Sequence, residues 1–149
     1  MAKINEKKDE SILIIPISSG IGLDELFKSA SVLTESQLFN ADAIASEKHL
    51  RLAFFHANRA FDEKTNQAKS LKMEFLLQAA ATGQIKVAVE TCGVKNTERM
   101  LLAIWGKDKE RVEEILSSLK AERAKWEMEE DKEMEKEVIR KMVEAQTKK

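Results

Sequence analysis

Cysteine, proline and long apolar runs are scarce in this 149-residue chain, and each scarcity removes a class of protein. Cys92 is the single cysteine. No intramolecular disulfide can form, and a thiolate-rich zinc site is excluded. No apolar run approaches the roughly 20 residues that cross a bilayer. The charged opening MAKINEKKDE is followed by no signal-peptide core or cleavage site. The reading is therefore of a cytoplasmic protein without membrane contact. Charge is balanced, 25 basic against 26 acidic residues for a net charge of -1. That argues against a general electrostatic grip on nucleic acid and leaves room only for a local basic patch.

The length suits one domain with a real core. Residues 1–10 read as a flexible N-terminus, 11–121 as a single α/β domain, and 122–149 as a charged helical C-terminal segment. Ile12, Leu13, Ile14, Ile15 and Ile17, bounded by Ser18, Ser19 and Gly20, predict a buried strand. Pro16, the only proline, cannot donate to a ladder and belongs at an edge or bulge. A short helix over 24–31 and a short strand over 36–39 follow. Ser46 is placed to cap a helix running to Phe61, whose Leu50, Ala53, Phe54, Ala57 and Phe61 share one face directed at the core. The next helix, over 71–81, is apolar almost all round, which implies packing on more than one side. Thr82 and Gly83 interrupt it. Ile85, Ala88, Val89 and Cys92 then form an apolar stripe, with Gly93 at the position of a left-handed cap. A third strand is expected over 100–105. The fold class is α/β, a small mixed sheet covered by several helices.

Lys107 to Lys149 contain neither glycine nor proline, and 25 of these 43 residues are charged, so local preference is strongly helical. Val112, Ile115, Leu116 and Leu119 make one stripe. Trp126 to Glu137 carry seven acids and two lysines, the composition of a solvated helix or frayed arm. Val138, Ile139, Met142 and Val143 restore an apolar face that needs either the domain body or a partner helix.

No catalytic constellation is present. His49 and His56 stand seven residues apart, not at the four-residue spacing of a helical zinc pair, and read as a polar shoulder beside the core. Cys92 on an apolar stripe reads as a buried thiol. No glycine-rich phosphate loop occurs. The sequence implies no enzyme, no metal and no cofactor.

One region points to a ligand. Ala79, Ala80, Ala81, Thr82 and Gly83 form a small-residue turn opening onto Gln84, Ile85 and Lys86. Small side chains admit a close backbone, and N–H groups at the following helix start can receive phosphate oxygens. Lys86, Lys69, Lys72 and Arg59 can add charge. The plainer account is a packing corner between two helices.

From Gln37 to Lys95 the chain reads QLFNADAIASEKHLRLAFFHANRAF, then AKSLKMEFLLQAAATGQIKVAVETCGVK. The FNAD entry, the two-histidine helix closing in H-A-x-R-A-F, the K-S-L joint before E-F-L-L, and the turn reading Q-I before a helix ending in G-V-K come in a distinctive order. In that order the region resembles the small kinase-binding subunit of the KEOPS tRNA-modification complex, the PRPK-binding protein family. KEOPS installs threonylcarbamoyl on the adenosine beside the anticodon, using a separate catalytic subunit and a kinase-like ATPase. The resemblance implies a non-catalytic subunit that supports the kinase-like ATPase and holds the single-stranded 3′ CCA end of tRNA. It directs tRNA to Arg59, Lys69, Lys72, Thr82, Gly83, Gln84 and Lys86, and the kinase to Val138, Ile139, Met142 and Val143. Gly83 stands where the family turn commonly carries arginine, so that contact is absent or supplied from elsewhere. The competing reading is a protein-interaction adaptor without RNA contact, and a third is a small-ligand binder using the same turn.

Overall fold

The β-branched run forms β1, Leu13–Ser19, in a computed structural model that describes residues 12–147. The N-terminus expected to be flexible lies outside these residues. After helix α1, Leu23–Ala30, come β2, Ser36–Asn40, a 3-10 turn, and three helices: α2, Glu47–Asp62, α3, Leu71–Ala80, and α4, Ile85–Cys92. Strand β3, Met100–Ile104, a second 3-10 turn, α5, Val112–Ser118, β4, Ala121–Arg123, and α6, Lys132–Thr147, complete the fold.

The strand order is β2-β3-β1-β4, and every pairing is antiparallel. A mixed sheet was expected. β1 and β2 do run the same way, but β3 inserts between them, with Ile104 opposite both Leu13 and Ser36. No parallel neighbours remain. β1 is an interior strand, and Pro16 is tolerated because of the side it faces. The Pro16 carbonyl accepts from Ala124 N at 2.9 Å, on the β4 side. The missing N–H points the same way, past the end of β4, which pairs only with Ile17, Ser18 and Ser19. The β3 ladder loses nothing.

The two faces of the sheet bury separate cores, as strand alternation requires. Met100, Leu102 and Ile104 pack with Ile17, Leu26, Ile115, Leu116 and Leu119 under α1 and α5. Leu101 and Ala103 pack with Phe39, Phe54, Phe75 and Trp105 under the other helices. Phe75 centres a ring cluster, 4.8 Å from Phe39, 5.2 Å from Phe54 and 5.7 Å from Trp105, at geometries near edge-to-face.

Ser46 caps α2 as predicted, accepting from His49 N at 3.2 Å. Leu50, Ala53, Phe54 and Ala57 are buried, whereas Phe61, expected on the same face, is only half-buried because it falls in the last turn of the helix. α3 buries Phe75, Leu76, Leu77 and Ala79 and packs on α2, α4 and β2.

The stretch whose local preference is strongly helical is not one helix. β4 joins the sheet edge, an extended strap follows, and only α6 is a long helix. Pairing to β1 overrides local preference at Ala121–Arg123. The acidic strap is anchored: Trp126 Nε1 donates to Glu98 O at 2.9 Å, and the Arg99 guanidinium stacks 4.6 Å from the Trp126 ring centre. Asp131 N donates to Ala45 O, and Ser46 hydrogen-bonds Glu135.

Candidate functional site

α3 and α4 form an antiparallel hairpin, and the turn singled out in the sequence is its corner. Ala81 takes a left-handed conformation at φ 54° and ψ 44°. Ala81 N donates to Gln78 O at 3.1 Å and Thr82 N to Leu77 O at 3.2 Å, the paired bonds of a Schellman cap. The left-handed residue is thus an alanine. Gly93, expected to fill that role after α4, is extended at φ -67° and ψ 154°. Its need for glycine is steric, since a Cβ there would run into the Val89 carbonyl.

α4 also departs from its expected orientation. Ala88 and Cys92 are buried, but Ile85 and Val89 point outward, 49% and 47% exposed. The preceding helix α3 covers only one side of α4, so the stripe is half spent. Cys92 is sequestered, and burial pushes its thiol up to about 12. It stays protonated and unreactive at neutral pH.

Beside the corner lies a cavity of about 420 Å³ lined by Gln67, Gln78, Thr82, Gly83, Lys141 and Glu144, among others. No side chain caps α4. Its leading N–H groups, at Ile85, Lys86 and Val87, have no intrahelical acceptor. Thr82 Oγ1 accepts from Gln84 N at 3.2 Å and holds the approach. Thr82 and Gly83 line this cavity, and Gln84 and Lys86 follow it, both exposed.

The other predicted residues are placed elsewhere. Lys69 is exposed on the loop before α3. Arg59 pairs with Glu63 at 3.0 Å near the end of α2. The Lys72 ammonium donates to Ala30 O at 2.9 Å and Leu33 O at 2.8 Å, so it closes the C-terminal end of α1. Burial lowers its pKa.

The apolar residues of α6 turn largely inward. Met142 is fully buried in the core, Val138 packs against that core, Ile139 is half-buried, and Val143 is 53% exposed. The apolar face therefore serves first to dock α6 on its own domain.

Three features were not legible in the sequence. Glu74 is fully buried, and its Oε1 accepts from Gln67 N and Ala68 N, both at 2.8 Å. Its Oε2 accepts from Gln78 Nε2 at 3.0 Å, while Gln78 Oε1 accepts from Gln146 Nε2 at 2.9 Å. This chain of bonds runs from α6 through α3 to the loop behind the cavity. The second is His49, buried between α2 and α3. Its Nδ1 accepts from Ala45 N at 3.0 Å while Nε2 lies 2.8 Å from Ala79 O, which requires the neutral imidazole with its proton on Nε2. Desolvation holds its pKa below the ordinary value, against the opposing pull of the Ala79 carbonyl and Glu135. Third, Lys141 reaches the cavity from α6, nearly sixty residues beyond the turn. No local pattern announces any of the three. Both histidines are buried, and among the described residues no cluster of three or more histidine, cysteine, aspartate or glutamate residues could hold a metal. Nor is any described helix long and apolar enough to cross a membrane.

The sequence matches a family model described as kinase binding protein CGI-121 over residues 6–146. No curated protein matches the chain. The match spans nearly all of the sequence, and the chain belongs to that family.

Proposed function

We propose that this member of a kinase-binding family is a non-catalytic accessory subunit of KEOPS, supporting the kinase-like ATPase subunit and recruiting tRNA through its 3′ CCA end. Kinase binding is the property for which the family is named. The tRNA half of the reading is carried by one observation, the cavity lined by Thr82 and Gly83, the residues that lead into the uncapped start of α4. Helix-start N–H groups suit a phosphate oxygen, and an amide at Gln84 suits a base edge. Lys86 follows on α4, and Lys141 brings charge from α6 to the position left without an arginine at Gly83. A compact site of this kind recognises a single-stranded end without a basic protein surface, in keeping with the balanced charge of the chain.

Gel shifts at two salt concentrations test the reading, comparing intact tRNA with tRNA lacking CCA. Wild type should prefer the intact RNA, and Lys86→Glu and Gln84→Ala should reduce that preference. Equal binding of both RNAs would sink end capture. Binding of neither would favour an adaptor without RNA contact.

A further inference from the structure

One wall of the corner cavity comes from outside the turn. Gln67, on the loop joining α2 to α3, lines the same cavity as Thr82 and Gly83. Its amide lies against Gly83, with Oε1 2.6 Å and Nε2 3.1 Å from the place a Cβ would take there. Any side chain at 83 would claim that space, so the glycine is what lets the amide rest in the cavity wall.

The loop that carries Gln67 is fixed. Buried Glu74 accepts from Gln67 N and Ala68 N through one oxygen, both at 2.8 Å. Thr65 N donates to Ala60 O at 2.8 Å, and Asn66 Nδ2 to Ala68 O at 2.9 Å. The backbone is thus held on both sides of Gln67, whereas its side-chain amide hydrogen-bonds none of the described residues. That amide adds no hydrogen bond to the fold. Its two N–H donors and its carbonyl acceptor are unspent. Gln84, the other amide at the corner, follows the cavity without lining it.

A donor beside an acceptor matches the edge of a base, and adenine carries its amino group next to a ring nitrogen on either edge. Exposed bases of a single-stranded end are read through such edges. We infer that Gln67 is a specificity-determining residue of the corner, pairing its amide with the amino group and adjacent ring nitrogen of the terminal adenine. Glu74 is the positioning residue that sets the loop. The inference rests on the end-capture reading and assigns its base selectivity to a residue outside the turn. Phosphate donors at the start of α4 hold any RNA end alike, and the amide chooses among ends.

Gel shifts of the full chain test this by comparing tRNA ending in CCA with the same tRNA whose last nucleotide is purine riboside, which lacks only the amino group. Wild type should bind the adenosine end at least about fivefold more tightly. Gln67→Ala should bind both at the weaker level and melt like wild type, because it removes no hydrogen bond of the fold. A preference that survives in Gln67→Ala overturns the assignment and leaves end capture standing. So does the absence of any preference in wild type while tRNA lacking CCA still binds more weakly. If wild type binds tRNA with and without CCA equally, or binds neither, end capture fails and takes the assignment with it.

Discussion

The Gln67 side-chain amide occupies the space above Gly83, with Oε1 only 2.6 Å from where a Cβ on that glycine would sit. The glycine is therefore covered by a flexible, surface-exposed side chain and not by backbone. A larger residue at 83 has only to swing Gln67 aside.

Gly83→Arg should consequently fold, with a stability change below about 1 kcal/mol. It restores a cation at the corner and should tighten tRNA binding. The dependence of log K on log salt should steepen by roughly 0.7, the increment for one further phosphate contact on a single strand. Filter binding across a salt series reads both, and an unchanged slope would mean that position 83 does not face the RNA.

Glu74→Ala removes the acceptor of two backbone N–H groups and of the Gln78 amide. The loss should be about 3 kcal/mol, since buried donors are left unpaired. Glu74→Gln keeps an acceptor oxygen and should cost less. Denaturant titration separates the two variants.

Phe54 and Phe61 share a helix face but not a fate. Phe54 is 3% exposed within the ring cluster, and Phe54→Ala should cost about 3 to 5 kcal/mol. Phe61 is half-buried, and Phe61→Ala should cost less than about 2 kcal/mol. Equal losses would show that the last turn of α2 is packed as tightly as its middle.

Stability should also depend on pH through His49. Its folded pKa lies below the ordinary 6.5, so the unfolded chain binds the proton more readily. The stabilisation is complete above about pH 6.5 and is lost as pH falls through the lower, folded value. Melting temperature followed from pH 8 to pH 5 should fall, and the slope should flatten in His49→Gln. A slope unchanged in that variant would assign it to other groups.

Ala81→Gly should stabilise the domain by about 1 kcal/mol, because the left-handed backbone at this cap burdens a residue with a Cβ. Differential scanning calorimetry tests the sign.

Much of the architecture was legible because it obeys short-range periodicity. The strands near Ile17, Phe39 and Met100, the Ser46 cap and the all-round apolar α3 all follow from local pattern. What failed was decided at a distance. β4 exists because Ser19, a hundred residues earlier, offers an unpaired edge to Ala121. The outward turn of Ile85 and Val89 depends on which side of α4 the neighbouring helix covers, and the stripe alone does not say. Of the corner, Thr82 through Lys86 lie together, while Arg59 and Lys72 were taken up by Glu63 and by the end of α1. Lysines are interchangeable in a sequence until the fold assigns their partners.

Strand β3 sets how the molecule breathes. Each of its five residues is buried, and it is paired along both edges, between β1 and β2, with a core on either face. No local fraying reaches its amides. Deuterium enters Met100–Ile104 only when the whole domain opens, so the exchange rate of those amides is a direct meter of global stability. The meter can be read in the free chain and in any complex it forms, without a label or a mutation.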